Sequence, residues 1–204
     1  MHPYSTDSTR SVRVMFFLAV AAVLFAYLLD RALSTADLEP PWWLDTPAVL
    51  GFYGLLWRLY DRHLWRLSRH GRTLSGIPDY GGEWEGEIIT DHESGVVLPA
   101  TLTIHQTSSR ILVTLRTDDS GSDSSMAALS TRPGQNQGLR YEYVNTPTPM
   151  RRSWEIHKGL SQLVLSPDGR SLDGYYQNFH GRHTSGKLTF RRRQPAGRPE
   201  AVPS

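Results

Sequence analysis

The sequence predicts two N-terminal transmembrane α-helices followed by an all-β domain, an eight-stranded antiparallel β-barrel. Three observations carry that expectation. Two strongly apolar segments lie within the first 60 residues, helical periodicity stops around Gly71 to Pro78, and from there to Arg193 short alternating runs are separated by turn residues. A chain of 204 residues has room for one compact domain of roughly 100 to 150 residues besides a membrane segment.

Residues 1–11 are polar and read as a disordered N-terminus that ends near Arg10 and Arg13. The first apolar run, Val14 to Leu29, has sixteen residues with no charge, Pro or Gly. Its flanks, Val12 and Ala32-Leu33, bring it near the ~20 apolar residues that cross a bilayer as a helix. Basic residues before it and small ones at Ser34 and Ala36 also fit a signal peptide, but a second hydrophobic segment follows at once.

That segment, Trp42 to Tyr60, opens with Thr46 as N-cap and Pro47 at the first helical position. Trp42-Trp43 at one end and Trp57, Tyr60 and Trp65 at the other resemble interfacial aromatic belts. Gly51 and Gly54 thin one face, for close approach of the first helix or of another subunit, or are simply tolerated in lipid. The link Asp30 to Asp45 holds four acids and one base, whereas arginines precede the first segment and follow the second. The positive-inside rule then puts both ends and the β domain in the cytoplasm. Arg58, Arg62, Arg66 and Arg69 recur at helical spacing, so the second helix is expected to run on with a basic face toward anionic headgroups, making 12–72 one membrane region.

In the β domain, 73–193, strands are expected near Gly82 to Thr90, Val96 to Gln106, Arg110 to Thr117, Ser124 to Thr131, Leu139 to Asn145, Leu160 to Ser166, Ser171 to Gln177 and Gly186 to Arg192. Ser166-Pro167-Asp168-Gly169 is the clearest hairpin turn. Closing eight antiparallel strands into a meander barrel removes their edges. Ala100, Leu102 and Ile104 alternate with Thr101, Thr103 and His105, and Ile111, Val113 and Leu115 with Leu112, Thr114 and Arg116; alternation alone does not say which set faces inward. Glu83, Glu85 and Glu87 share a face, read as solvent-exposed. Residues 194–204 read as a disordered tail.

Charge and composition narrow the function. Ile77 to Ser125 holds nine acids and two bases, and Met126 to the end twelve bases and five acids, so the β domain is neutral in sum. A neutral domain is a poor binder of DNA or RNA, whose affinity comes from many phosphate contacts, but a small anion needs only a few placed arginines. The chain has no cysteine, which excludes disulfides and thiolate chemistry. His180 and His183 do not share a face in a strand-turn context and lack a carboxylate partner, so no metal is expected. No G-x-S-x-G elbow or catalytic triad can be picked out, and neither an enzyme nor a cofactor is expected.

Chemistry gathers late. Tyr175-Tyr176-Gln177-Asn178-Phe179-His180-Gly181-Arg182-His183-Thr184-Ser185-Gly186-Lys187 mixes aromatics that stack bases, amides that read base edges, and an Arg for phosphate. A polar loop flanked by cross-strand tyrosines has the same composition. Arg140-Tyr141-Glu142-Tyr143 and Arg151 to Gly159 add candidates of the same type.

In order along the chain, two apolar segments, a basic linker, Gly82-Glu83-Trp84-Glu85-Gly86, His157-Lys158-Gly159, Leu172-Asp173-Gly174-Tyr175-Tyr176 and Thr184-Ser185-Gly186-Lys187-Leu188 resemble the two-transmembrane, β-rich effectors of bacterial CBASS antiphage defence, the CD-NTase-associated protein 15 family. The resemblance implies an eight-stranded, lipocalin-like barrel that receives a cyclic dinucleotide made by a partner nucleotidyltransferase. It implies that binding drives homo-oligomerisation of the membrane helices, disruption of the inner membrane and death of the infected cell. On that reading the ligand contacts are expected at Tyr141, Arg151, His157, Tyr176, Arg182 and Thr184, with Trp84 as a barrel plug. The competing readings are a membrane-anchored lipocalin-like carrier of an apolar or lipid ligand, and an anchored structural domain whose barrel is filled by its own side chains.

Overall fold

A computed structural model describes residues 1–8, 10–36, 45–69, 72–73, 76–91, 95–118, 120–132, 137–147, 157–180 and 184–193. In chain order its elements are β1 (His2–Thr6), α1 (Arg10–Thr35), α2 (Asp45–Arg62), a 3₁₀ turn at Leu64–Arg66, β2 (Ser68–Arg69) and β3 (Arg72–Thr73). Eight longer strands follow: β4 (Gly82–Thr90), β5 (Val97–Gln106), β6 (Arg110–Arg116), β7 (Ser120–Ser130), β8 (Gly138–Pro147), β9 (His157–Leu165), β10 (Ser171–His180) and β11 (Ser185–Arg192). They form two compact units, one of residues 1–6, 79–106 and 110–204, the other of residues 7–78 and 107–109.

In the helical unit α1 and α2 form a hairpin, with Phe25 and Phe52 stacked at 5.9 Å between ring centroids. Among the described residues one helix, Val12–Thr35, has the length and apolarity to cross a bilayer. This corrects the expectation of two. In α2, Asp45 at one end and Arg58, Asp61 and Arg62 at the other leave twelve uncharged residues between them. Twelve residues make about 18 Å of helix, against a hydrocarbon core of roughly 30 Å. Nor does α2 run on as a basic helix: it stops at Arg62, Leu67 leaves helical backbone at φ −56°, ψ 120°, and Arg69 pairs with Arg72 in a two-strand ladder. Among the described residues, nothing outside α2's own backbone lies within 4 Å of where a Cβ at Gly51 or Gly54 would stand, so α1 does not fill the face those glycines thin. The N–H groups of Ser108 and Ser109 donate to the carbonyl and carboxylate of Asp61, at 3.1 and 2.9 Å, which is why residues 107–109 fall in this unit.

The other unit is a closed barrel. Strands β4 to β11 follow one another up and down, each antiparallel to the next, and β11 returns to pair with β4. The expected eight are all present, but the barrel has nine strands. Residues His2–Thr6, within the stretch expected to be a disordered N-terminus, lie between β6 and β7. Those two strands pair directly only at Thr114↔Asp123, Leu115↔Ser122 and Arg116↔Gly121. Beyond that point they part, and β1 fills the seam, antiparallel to β6 at His2↔Ile111 and parallel to β7 at Tyr4↔Ala127 through Thr6↔Leu129. A closed sheet has to satisfy every backbone group, so a seam opened by strand divergence needs a third strand.

Burial settles the inward faces: Ala100, Leu102 and Ile104 on β5 and Ile111 and Val113 on β6 are buried. Glu83, Glu85 and Glu87 point outward, where Arg193 approaches Glu83 and Glu85 at 3.4 and 3.2 Å. Such exposed pairs are worth less than about 1 kcal/mol.

One end of the barrel is closed by a plug. Trp84 is fully buried and donates its indole N–H to the Tyr80 carbonyl at 3.0 Å. The Arg192 guanidinium lies over the Trp84 ring, 4.3 Å from its centroid. The same guanidinium donates to the carbonyls of Gly169, Gly81 and Asp79 at 3.0, 2.6 and 3.1 Å. Gly169 reaches it from the hairpin turn, where φ +70° requires glycine and its N–H bonds the Ser166 carbonyl at 2.9 Å. Phe190, Leu172 and Leu163 fill the space above.

The plug generates two predictions. Replacing Trp84 by Ala should lower unfolding stability by roughly 3–5 kcal/mol. Arg192→Ala should lower it by about 2 kcal/mol or more, since three carbonyls lose their donor. Arg192→Lys should not rescue it, because an ammonium cannot both stack and fork. Urea unfolding of the full chain in detergent measures all three, and a wild-type midpoint for Arg192→Ala would remove the clamp from the account. The second prediction concerns alkali. Burial raises the Tyr80 phenol to about 12, against the lowering effect of hydrogen bonds with the Leu165 and Leu139 backbone. The native state therefore holds this proton more tightly than the unfolded state. Its contribution is whole below pH 10 and is lost as pH rises toward 12, on the order of 2 kcal/mol. Tyrosinate absorbance should show Tyr80 ionising only together with loss of folded structure; ionisation of the intact Tyr80→Phe-sensitive signal below pH 10 would contradict this.

Candidate ligand-binding site

The register of β8, β9, β10 and β11 stacks inward side chains in rungs across the wall. Tyr141, Ser161, Tyr176 and Gly186 form one rung, and Tyr143, Gly159 and Asn178 the next. Below them, toward the plug, Leu139 pairs with Leu163 and Leu172 with Phe190. The inner wall therefore changes from aliphatic and aromatic at the plugged end to tyrosine, serine, asparagine and threonine at the other. Ser122 and Ser124 of β7, both buried, continue the polar lining.

The polar half is wired through Asn178. Its Oδ1 accepts from Tyr143 Oη at 2.8 Å, its Nδ2 donates to Thr184 Oγ1 at 2.7 Å, and its backbone N–H donates to the Thr184 carbonyl at 2.8 Å. Gly159 makes the network possible: a Cβ there would overlap Tyr143 Oη and Asn178 Oδ1. Gly186 likewise leaves room for the Tyr176 ring, which a Cβ would strike. A shallow hollow on β10 and β11 is lined by Tyr175, Tyr176, Gln177, Ser185, Gly186 and Lys187.

Tyr141 differs from its neighbours. It is buried, 2 % exposed, and among the described residues its hydroxyl has no partner at full hydrogen-bond geometry, with the Ser161 hydroxyl its nearest polar neighbour. Burial pushes its phenol up to about 12, and the adjacent Ser161 hydroxyl lowers it only in part. Burial raises Tyr143 further still, reinforced by charge interactions with Tyr141 and Tyr176. These phenols are neutral donors at physiological pH. An unpaired buried hydroxyl costs about 1–3 kcal/mol, which a ligand oxygen or ring nitrogen would recover.

The expected contacts divide accordingly. Tyr141, Tyr176 and Thr184 come together on the inner wall of this half. His157 opens β9 opposite Asn145, while Arg151 and Arg182 lie outside the described residues. Tyr143, Ser161, Gly159 and Asn178 belong to the same wall and are not among the expected contacts. A period of two finds two of them, since Tyr143 shares a face with Tyr141 and Asn178 with Tyr176. Ser161 and Gly159 emerge only from the cross-strand register. Trp84 is the plug, as expected, and lies far along the barrel from these rungs.

Three comparisons bear on the site. A family model described as "Cap15, cyclic dinucleotide receptor domain" matches residues 75–192, and one described as "Cap15, TM helices" matches residues 12–66. CD-NTase-associated protein 15 of Yersinia aleksiciae is 32% identical over 142 residues, which is 70% of this chain and 68% of that protein. With both its barrel and its helical hairpin covered by those models, the chain belongs to the Cap15 family and carries that family's cyclic dinucleotide receptor domain on an N-terminal membrane region.

Proposed function

We propose that this chain is a membrane effector of CBASS antiphage defence whose cytoplasmic barrel binds a cyclic dinucleotide in its polar half. The nucleotide is the product of a partner nucleotidyltransferase made on infection. Binding drives oligomerisation of the membrane helices among inner-membrane lipids, and the membrane fails. The observation that carries this reading is the buried Tyr141 hydroxyl, without a well-formed hydrogen bond among the described residues, beside the Tyr143-Asn178-Thr184 network. Tyrosine faces stack on bases, the Asn178 amide and Thr184 hydroxyl meet base or ribose edges, and Arg151 and Arg182 supply positive charge for the two phosphates.

The arginines that precede α1 and close α2, set against the acidic link between the two helices, support a cytoplasmic barrel. The ligand acts on the helices only through a different affinity for dispersed and assembled states, so nucleotide favours the assembled one. A carrier of apolar ligands would need an apolar lining in the half away from Trp84, where tyrosine, serine, asparagine and threonine stand instead on β7 to β10 and at Thr184.

Titration of the full chain in detergent with cyclic dinucleotides, followed by calorimetry, tests the reading; no heat with any of them would sink it. Tyr141→Phe separates ligand from fold. Because its hydroxyl has no well-formed partner among the described residues, its loss should leave ligand-free stability unchanged or raise it by about 1 kcal/mol. The same change should weaken nucleotide binding roughly tenfold, about 1.4 kcal/mol. Arg182→Ala should abolish binding while leaving the ligand-free thermal transition nearly unmoved. Gly159→Ala, which displaces both Tyr143 and Asn178, should lose binding and also destabilise the barrel by about 1–3 kcal/mol.

A further inference from the structure

The half of the barrel away from Trp84 is lined by two kinds of wall. Tyr141, Tyr143, Ser161 and Asn178 make the polar one, on β8 to β10. Around the barrel from it, β11, β4 and β5 carry an aliphatic rung, in which Leu188 stands opposite Ile88 and Ile88 opposite Leu98. One rung farther from Trp84, Gly186 stands between Tyr176 and Thr90, and the Tyr176 ring lies where a Gly186 Cβ would be. Tyr176 is therefore the aromatic at the border of the two walls.

Leu98 is the exception on its rung. Ile88 and Leu188 are 8 and 1 % exposed, whereas Leu98 is 38 % exposed. It is in phase with Ala100, Leu102 and Ile104, all of them buried, so it belongs to the inner face of β5. The cause of its exposure is strand length. The ladder between β5 and β6 ends at Thr101↔Arg116, so among the described residues Leu98 has a paired strand on the β4 side alone. An inward leucine beside two buried aliphatics thus keeps apolar surface that the strands around it do not cover.

We infer that Leu98 is a specificity-determining contact of the receptor site, seating the ring face of one base of the cyclic dinucleotide. The inference rests on the receptor reading above and adds to it which wall takes which part of the ligand. A cyclic dinucleotide is itself two-sided: its bases offer apolar ring faces, and its ribose-phosphate ring offers polar edges. The hydroxyls and amide of β8 to β10 suit the polar edges, and an uncovered aliphatic next to the Tyr176 ring suits a base face. The rest of the rung cannot take this part, since Ile88 and Leu188 have almost no surface left to give. A purine covers more of such a surface than a pyrimidine, so Leu98 favours a purine at this position.

Calorimetry on the full chain in detergent tests the contact, with a panel of cyclic dinucleotides that covers every pairing of the RNA bases. Leu98→Ala should weaken the tightest binder of the panel roughly tenfold, the loss of about two methylenes from a buried contact. It should also make the heat-capacity change of binding less negative, because that quantity follows the apolar surface buried. Without nucleotide, its thermal midpoint should fall much less than that of Ile88→Ala. Leu98→Met, which restores side-chain length, should recover most of the lost affinity, and Val97→Ala, on the outer face of the same strand, should bind as the wild type does. Wild-type affinity and heat capacity in Leu98→Ala would overturn the contact and leave the receptor reading standing. A ligand-free midpoint as low as that of Ile88→Ala would overturn it too, by making Leu98 part of the core. No heat from the wild-type chain with any member of the panel would sink the receptor reading, and the contact with it.

Discussion

Everything in the barrel depends on one closure, the pairing of the last strand with the first long one. At its plugged end that pairing sets Arg192 opposite Trp84, and the guanidinium then does three things at once. It stacks on the indole, ties the β10 entry through Gly169, and ties the segment before β4 through Asp79 and Gly81. Planar, always charged and carrying five fixed donors, arginine suits this junction of a ring and three carbonyls. A meander of eight strands has its two ends in neighbouring positions only if β4 and β11 meet in register, and this clamp fixes the register where a slip would turn every side chain over.

Because one end is secured by packing, the other is free to be polar. Phe190, Leu172, Leu163 and Trp84 supply the apolar burial that stabilises the domain, so the rungs of Tyr141 and Tyr143 need not. That division explains how an unsatisfied hydroxyl and a network of neutral hydrogen bonds persist inside a small barrel. The cost of leaving the Tyr141 hydroxyl without a well-formed partner among the described residues is a small fraction of the burial at the plug. Gly159 and Gly186 extend the same logic, since each gives up β propensity and side-chain packing to leave space for a tyrosine or an amide.

Much of this was legible from residue order because sheets advertise themselves through alternation and turns. Eight strands follow from the period of two and from punctuation such as Ser166-Pro167-Asp168-Gly169, and three of the expected contacts, Tyr141, Tyr176 and Thr184, stand on one inner wall. What the sequence hides is long-range. His-Pro-Tyr-Ser-Thr has no apolar alternation, because β1 faces a seam rather than the core, so nothing local marks it as a strand. Ser161 and Gly159 matter through their partners on β8 and β10, and register is a property of the assembled sheet. The second helix misled for a different reason: hydropathy over Trp42 to Tyr60 is high, but helix bounds at Asp45 and Arg62 leave too few uncharged residues between charges.

The seam and the polar half share strands. β7 carries Ser122 and Ser124 on its inner face near the site, and its later residues, Ala127 to Leu129, hold β1. β8, paired along the whole of β7, carries Tyr141 and Tyr143. The β7 bulge between Ser124 and Met126 separates these two roles: before it the strand follows the β8 register that lines the polar half, and after it the strand takes up the ladder to β1, so one irregularity lets a single strand serve both neighbours.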